Sequence, residues 1–163
     1  MTAQSFALFS VGEGPLPEPA FEQDIKYIQS KLGGKRFASR ADIVPSEIKS
    51  ILPEVAVFAP IFNDDGAVVD LEIRIEGTLL SRFYGEHTGQ KIGDGFNERV
   101  KGRIIAAASK AIEIEAPVCA ELVLRSPSER TVTVRSLYIP LSENNDVIDN
   151  FFVHFRIQYD SIK

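Results

Sequence analysis

Residues 55–77 read VAVFAPIFNDDGAVVDLEIRIEG, two apolar runs joined by Asp64-Asp65-Gly66. Asp-Gly supplies the positive φ that a tight turn requires, so the two runs are expected to pair as a β-hairpin. In the second run Leu71, Ile73 and Ile75 alternate with Glu72, Arg74 and Glu76, which is the period of a strand with one buried face.

On the C-terminal side of this hairpin the pattern changes twice. TLLSRFYG (78–85) reads as a short helical piece and residues 85–95 as a loop. FNERVKGRIIAAASKAIEI (96–114) reads as a longer helix with Phe96, Val100, Ile104, Ala107 and Ala111 on one face. Three more strand-like runs follow, VCAELVLR, TVTVRSLYIPL and VIDNFFVHFRIQY, separated by the turn-rich SPSER and SENND. Loops this short imply an antiparallel meander. On the N-terminal side, Pro15, Pro17 and Pro19 make residues 12–19 an extended entry segment. Phe21, Ile25, Ile28 and Leu32 then recur at helical spacing until Gly33-Gly34 ends the run. A short helix is expected from Pro45-Ser46 to Pro53. The order is therefore helix, helix, β, β, helices, β, β, β. It predicts an α+β fold with a five-stranded antiparallel sheet that packs one face and exposes the other. The boundaries drawn are an extended segment over residues 1–20 and a single domain over 21–163.

Composition agrees with one folded domain. A chain of 163 residues with 44% hydrophobic and 25% charged residues is of ordinary globular make-up. Its net charge of −5 disfavours a nucleic-acid partner, because that affinity comes from Lys and Arg displacing counterions. The first residues lack the basic region and apolar core of a signal peptide, and no run approaches the length of a membrane span. A single cysteine excludes an internal disulfide and suits a reducing compartment. The expectation is a cytoplasmic protein without membrane contact.

A hairpin, a helical crossover and three further strands, with RIEGTLLSRFYGEHTGQKI (74–92) in the crossover, resembles the bacterial PAS-like family of the PAS_5 type. Gly77-Thr78, Tyr84-Gly85 and Thr88-Gly89 fill the places of that family's Gly-Thr, Gly and Thr-Gly steps. GGKRFASRADIVPSEIKSILPEV (33–55) is similar to its leader. The likeness runs from about residue 24 to 158. This chain departs from the family in having no tryptophan. The resemblance implies a PAS-like sheet with its crossover after strand 2, and a stand-alone sensory or protein-interaction module. Such a module is expected to bind a small molecule between sheet and helices and to signal through a partner protein. A homodimer formed through the N-terminal amphipathic helix and the outer sheet face is expected, with Ile25 and Ile28 in the contact. The alternative is a small cavity-containing α+β enzyme or carrier of the hydratase or isomerase type, which would need a buried His or Asp facing the pocket.

Ile73, Phe83, Tyr84, Phe96, Tyr138 and Phe155 are the candidate pocket-lining residues, although eleven phenylalanines could fill the space completely. The residues show no haem, flavin or metal signature, and which cofactor is bound, if any, is unknown. Haem would need an axial ligand. His87 lies in the 85–95 loop, and His154 is expected to point outward, opposite Phe151, Val153 and Phe155. No reactive-cysteine flavin motif occurs, and Cys119 reads as a small buried hydrophobe. No serine or cysteine sits in a nucleophile arrangement, so no catalytic residue is assigned and the chain is not expected to be an enzyme. The carboxylates at Asp64-Asp65, Glu113, Glu115, Asp146 and Asp149 read as solvated, and two distant histidines do not make a metal site. Gly93, Gly95 and Gly102 follow no phosphate-loop pattern. Lys31, Lys35, Arg36 and Arg40 form a local basic cluster, either a solvated loop or a contact for an acidic partner or an anionic ligand.

Overall fold

The computed structural model describes residues 2–160. Its strands are β1 Thr2–Ser10, β2 Val55–Phe62, β3 Val68–Glu76, β4 Val118–Arg125, β5 Thr131–Leu141 and β6 Asn150–Tyr159. Its helices are α1 Pro19–Ser30, α2 Thr78–Tyr84, α3 Ile92–Gly95 and α4 Glu98–Ile114. All the strands join one antiparallel sheet in the order β1-β4-β5-β6-β2-β3, and α2, α3 and α4 form the crossover between β3 and β4.

The α+β class, the crossover after the hairpin and the N-terminal amphipathic helix are as expected, but the sheet has six strands rather than five. The sixth is β1, paired along β4 from Thr2↔Arg125 to Ser10↔Val118. Its register shifts between Ala3 and Ser5, which breaks the period-two pattern, and most of the strand is exposed at the sheet edge. That combination hides a strand from sequence.

Local chemistry accounts for the other elements. In the β2–β3 turn, Asn63 Oδ1 accepts from the amides of Asp65 and Ala67, and Gly66 takes φ 81°. Pro19 opens α1, and Gly33 and Gly34 end it with φ 53° and 87°. The expected helix from 45 to 53 is instead a chain of 3-10 turns at Arg40–Asp42, Pro45–Glu47 and Leu52–Glu54. Pro53 removes an amide donor that a continuous α-helix from Pro45 would use, whereas Pro45 occupies a first turn whose amide needs no partner. Helix α4 begins two residues later than its apolar pattern, because Asn97 Oδ1 caps the Val100 amide at 3.0 Å. The Gly-Thr step has a steric cause: a Cβ on Gly77 would lie 2.3 Å from the Pro53 carbonyl oxygen. Meanwhile the Gly77 amide donates to Val55 O at 2.8 Å, so the 3-10 turn and the start of α2 are locked together through bare backbone.

Both faces of the sheet are covered, contrary to the expectation of one exposed face. Under α2, α3 and α4 lie Phe58, Leu71, Ile73, Val134, Tyr138, Phe151, Val153 and Phe155. The opposite face carries Cys119, Leu137, Ile139, Leu141 and Phe152 beneath Phe21 and Ile28 of α1. The phenylalanines are divided between these two cores, so they do not fill the inner one.

Candidate functional site

Small residues leave a gap in the inner layer. Ala120 and Ser136 face one another as Cα partners on β4 and β5, Ala56 stands on β2, and α4 passes over with Ala107, Ala108 and Ala111. Where neighbouring strand positions carry Leu, Val or Tyr, these residues are too short to meet the helix. The result is a cavity of about 270 Å³ between sheet and helices, at the small end of ligand pockets.

Ile73, Tyr84, Phe96, Tyr138 and Phe155 line this cavity. Phe83, the sixth candidate, is not in the lining. It packs edge-on against Tyr84 at 4.7 Å and Tyr159 at 6.5 Å, because α2 turns it away from the gap. Ala3 and Phe6 of β1 complete the wall beside Leu122 and Leu124 of β4. Tyr84 meets Phe96 and Phe155 in edge-to-face contacts at 5.8 and 6.3 Å.

The polar lining is Glu76, Asn97, Arg99, Arg103, Ser136 and the two phenols. Burial pushes the Tyr84 phenol up to about 12, against the opposing pull of the Arg103 cation. Tyr138 is raised further by its complete burial, with Tyr84 adding to the effect. Both are neutral hydroxyls at any physiological pH. Glu76 Oε1 accepts from Ser81 Oγ at 2.8 Å, and its Oε2 lies 3.9 Å from His87 Nδ1. Asp70, outside the lining, accepts from the Leu71 and Gly93 amides at 2.8 and 3.0 Å and serves the fold.

His154 departs most from its expected place. It is fully buried rather than outward-facing, because α1 lies across that face of the sheet and sets Phe21 against the imidazole at 5.5 Å. Nδ1 donates to Asp24 Oδ2 at 2.5 Å and Nε2 to Glu54 Oε2 at 2.7 Å. Two carboxylate acceptors require both ring nitrogens to carry protons, which defines an imidazolium. The ion pairs continue from Glu54 to Arg156 at 3.1 Å and from Arg156 to Glu18 at 3.9 Å. Arg135 then links Glu18 at 3.0 Å to Glu121 at 2.9 Å. Seven side chains thus alternate in sign under α1. Asp24, on the apolar stripe of α1 between Phe21 and Ile28, was the sequence signal for this cluster.

Burial by itself lowers the His154 pKa, but Asp24 first and Glu54 second outweigh it and the net shift is upward. A raised folded pKa contributes stability that is fully present below the unfolded value of about 6.5 and is lost as pH rises through the folded value. Unfolding free energy is therefore expected to fall between pH 6.5 and 8.5, with a slope approaching about 1.4 kcal/mol per pH unit. Urea titrations across that window check it: His154→Gln should flatten the slope, and an unchanged slope in that variant rejects the assignment. The window stops at 8.5 because burial pushes the Cys119 thiol up to about 12, which adds a second titration above it.

The remaining candidates are absorbed locally. Lys31 pairs with Glu47 at 2.7 Å, Lys35 with Asp42 at 2.6 Å, and Arg36 with Glu115, so most of the basic cluster is neutralised within the chain. His87 stacks on Phe96 at 4.5 Å and donates from Nδ1 to the Gly85 carbonyl at 2.8 Å. Cys119 is buried as expected. Among the described residues no group of three or more His, Cys, Asp or Glu is placed to hold a metal ion, and no helix is long and apolar enough to cross a membrane.

A family model described as the PAS domain matches residues 17–153. No curated protein sequence matches the chain. A solved structure titled "Structure of an RNA-binding Light-Oxygen-Voltage Receptor" aligns with 93% of this chain at 12% identity and a TM-score of 0.43. This chain spans 38% of that one, and at such a TM-score the likeness carries no argument.

Proposed function

Since the chain belongs to the PAS domain family, we propose that it is a sensory or protein-interaction module that holds a small molecule between its sheet and its helices. The observation that carries this reading is the cavity of about 270 Å³ in the inner layer, walled mainly by apolar and aromatic side chains with a few convergent polar groups. The occupant changes the packing of β1 and α4, and a partner protein or a second copy of the chain reads that surface. No catalytic step is assigned. Among the described residues the cavity lining contains no histidine, aspartate or cysteine, and its two phenols are held neutral. Self-association belongs to the proposal too, but Phe21 and Ile28 of α1 are buried against the sheet of their own chain, so a homodimer would use other side chains of that helix.

Native mass spectrometry of protein purified from its own host tests the ligand and the dimer together. The expected spectrum shows a bound small molecule that dissociates on denaturation and is absent from Ala120→Leu, whose longer side chain fills the gap. Bare protein in both samples rejects the sensing reading. A monomer mass removes the self-association part alone.

A further inference from the structure

We infer that the cavity is selective for an anionic amphiphile, a carboxylate on a short aliphatic or aryl body, with Arg99 and Arg103 as the headgroup site. The inference rests on the sensory reading above and adds the ligand's chemical class. Arg99 and Arg103 are four residues apart on α4, which places their guanidinium groups on the same flank of the helix about one turn apart. Both contribute to the cavity wall. Among the described residues neither Arg99 nor Arg103 has a carboxylate oxygen within 4.0 Å; the same holds for Arg40, Arg82, Arg125 and Arg130, but those four are not in the cavity wall. Two unpaired cations beside an apolar cavity are what a bidentate carboxylate would complete.

Glu76 also reaches the cavity, but it comes from the end of β3, and one of its carboxylate oxygens accepts from the Ser81 hydroxyl while the other lies beside His87. The formal charge of the lining is therefore two arginines against one glutamate, a net single positive. The rest of the wall offers neutral phenols from Tyr84 and Tyr138, the Ser136 hydroxyl and hydrocarbon. At roughly 30 Å³ per water-sized group, a cavity of about 270 Å³ admits on the order of ten non-hydrogen atoms. That matches a medium-chain fatty acid or an aryl alkanoic acid rather than a full-length lipid. Arg99 is exposed and Arg103 half-buried, so the head of such a ligand sits near the mouth and its tail against Ala120, Ser136 and Phe155.

Octanoate and 1-octanol share a body and differ in the head, and isothermal titration of the full chain with each separates the possibilities. Octanoate should bind at least tenfold tighter than octanol, since charge-assisted bonds to two guanidiniums are absent from the alcohol. In Arg99→Gln/Arg103→Gln the two ligands should bind alike, at the affinity octanol has for the unmodified protein. Circular dichroism of that variant should be unchanged, because neither arginine supports the fold through an ion pair. Equal binding of both ligands to the unmodified protein, or a preference that survives in the double variant, overturns the anion inference and leaves the cavity reading standing. Binding of neither, with or without Ala120→Leu, overturns both.

Discussion

Asp24→Ala should cost about 3–5 kcal/mol of folding free energy, the loss expected when one partner of a buried ion pair is removed and the other is left behind. Asp24 is 3% exposed and His154 0% exposed, so the imidazolium cannot recover its lost acceptor from water. It would have to shed a proton or leave an N–H unsatisfied in an apolar layer, and both alternatives are unfavourable. Glu54 alone cannot compensate, since it occupies the other ring nitrogen and also serves Arg156. For a domain of this size the loss corresponds to a fall in Tm of about 10 °C. A control separates the ionic contribution from packing: Asp24→Leu/His154→Phe, which removes both charges and keeps the volume, should regain most of the lost stability. Equilibrium urea unfolding at pH 6.5 measures all three proteins. A loss below about 1 kcal/mol for Asp24→Ala, or a double variant no better than the single one, would show that the pair is incidental.

Phe151→Ala is the second large effect, also about 3–5 kcal/mol. Phe151 is 0% exposed on the inner face of β6, flanked in the sheet by Pro140 of β5 and Phe58 of β2. Its ring meets Tyr138 edge-on at 6.4 Å. β6 is paired on both sides at this point, with β5 and with β2, so the surrounding backbone cannot collapse into the space a phenyl leaves. Phe151 does not line the existing cavity itself, but it backs Phe58 and Tyr138, which do. Urea unfolding should show a lower midpoint with an unchanged m-value. A cost under about 1.5 kcal/mol would mean that the inner layer repacks and is looser than its burial suggests.

The inner half of this structure is legible in the sequence because its signals are local. Leu71 and Ile73 of β3, and Phe151, Val153 and Phe155 of β6, alternate on schedule, and Asp-Gly announces the hairpin between β2 and β3. Side chains placed by such alternation, Ile73, Tyr138 and Phe155 among them, reach the cavity. The cavity itself depends on what is missing, the short side chains of Ala56, Ala120 and Ser136, and period alone does not report a deficit of volume. The outer half depends on contacts remote along the chain. Asp24 and His154 are 130 residues apart, so the burial of the histidine follows from where α1 docks and not from its neighbours in β6. The β1 strand escapes notice for a different reason, as an exposed edge with a shifted register carries a weakened period. Arg99 and Arg103 look like any solvated helix flank in the sequence, because only the docking of α4 over the sheet brings them to the cavity wall.

The N-terminal segment serves both layers of the sheet, and this has a mechanical meaning. Ala3 and Phe6 wall the cavity on one side, while Glu18 and Asp24 hold α1 to the charged row on the other. Between β1 and α1 the chain runs through only residues 11–18; Pro15 and Pro17 stiffen its second half, and Gly12 and Gly14 leave the first half free to turn. A flexible connector would absorb a displacement of β1, whereas a short proline-braced one has little slack to give. The positions of β1 and α1 are thereby tied to each other by backbone that runs around the rim of the sheet. The tether thus gives the two faces of the sheet one covalent link that bypasses the strands between them.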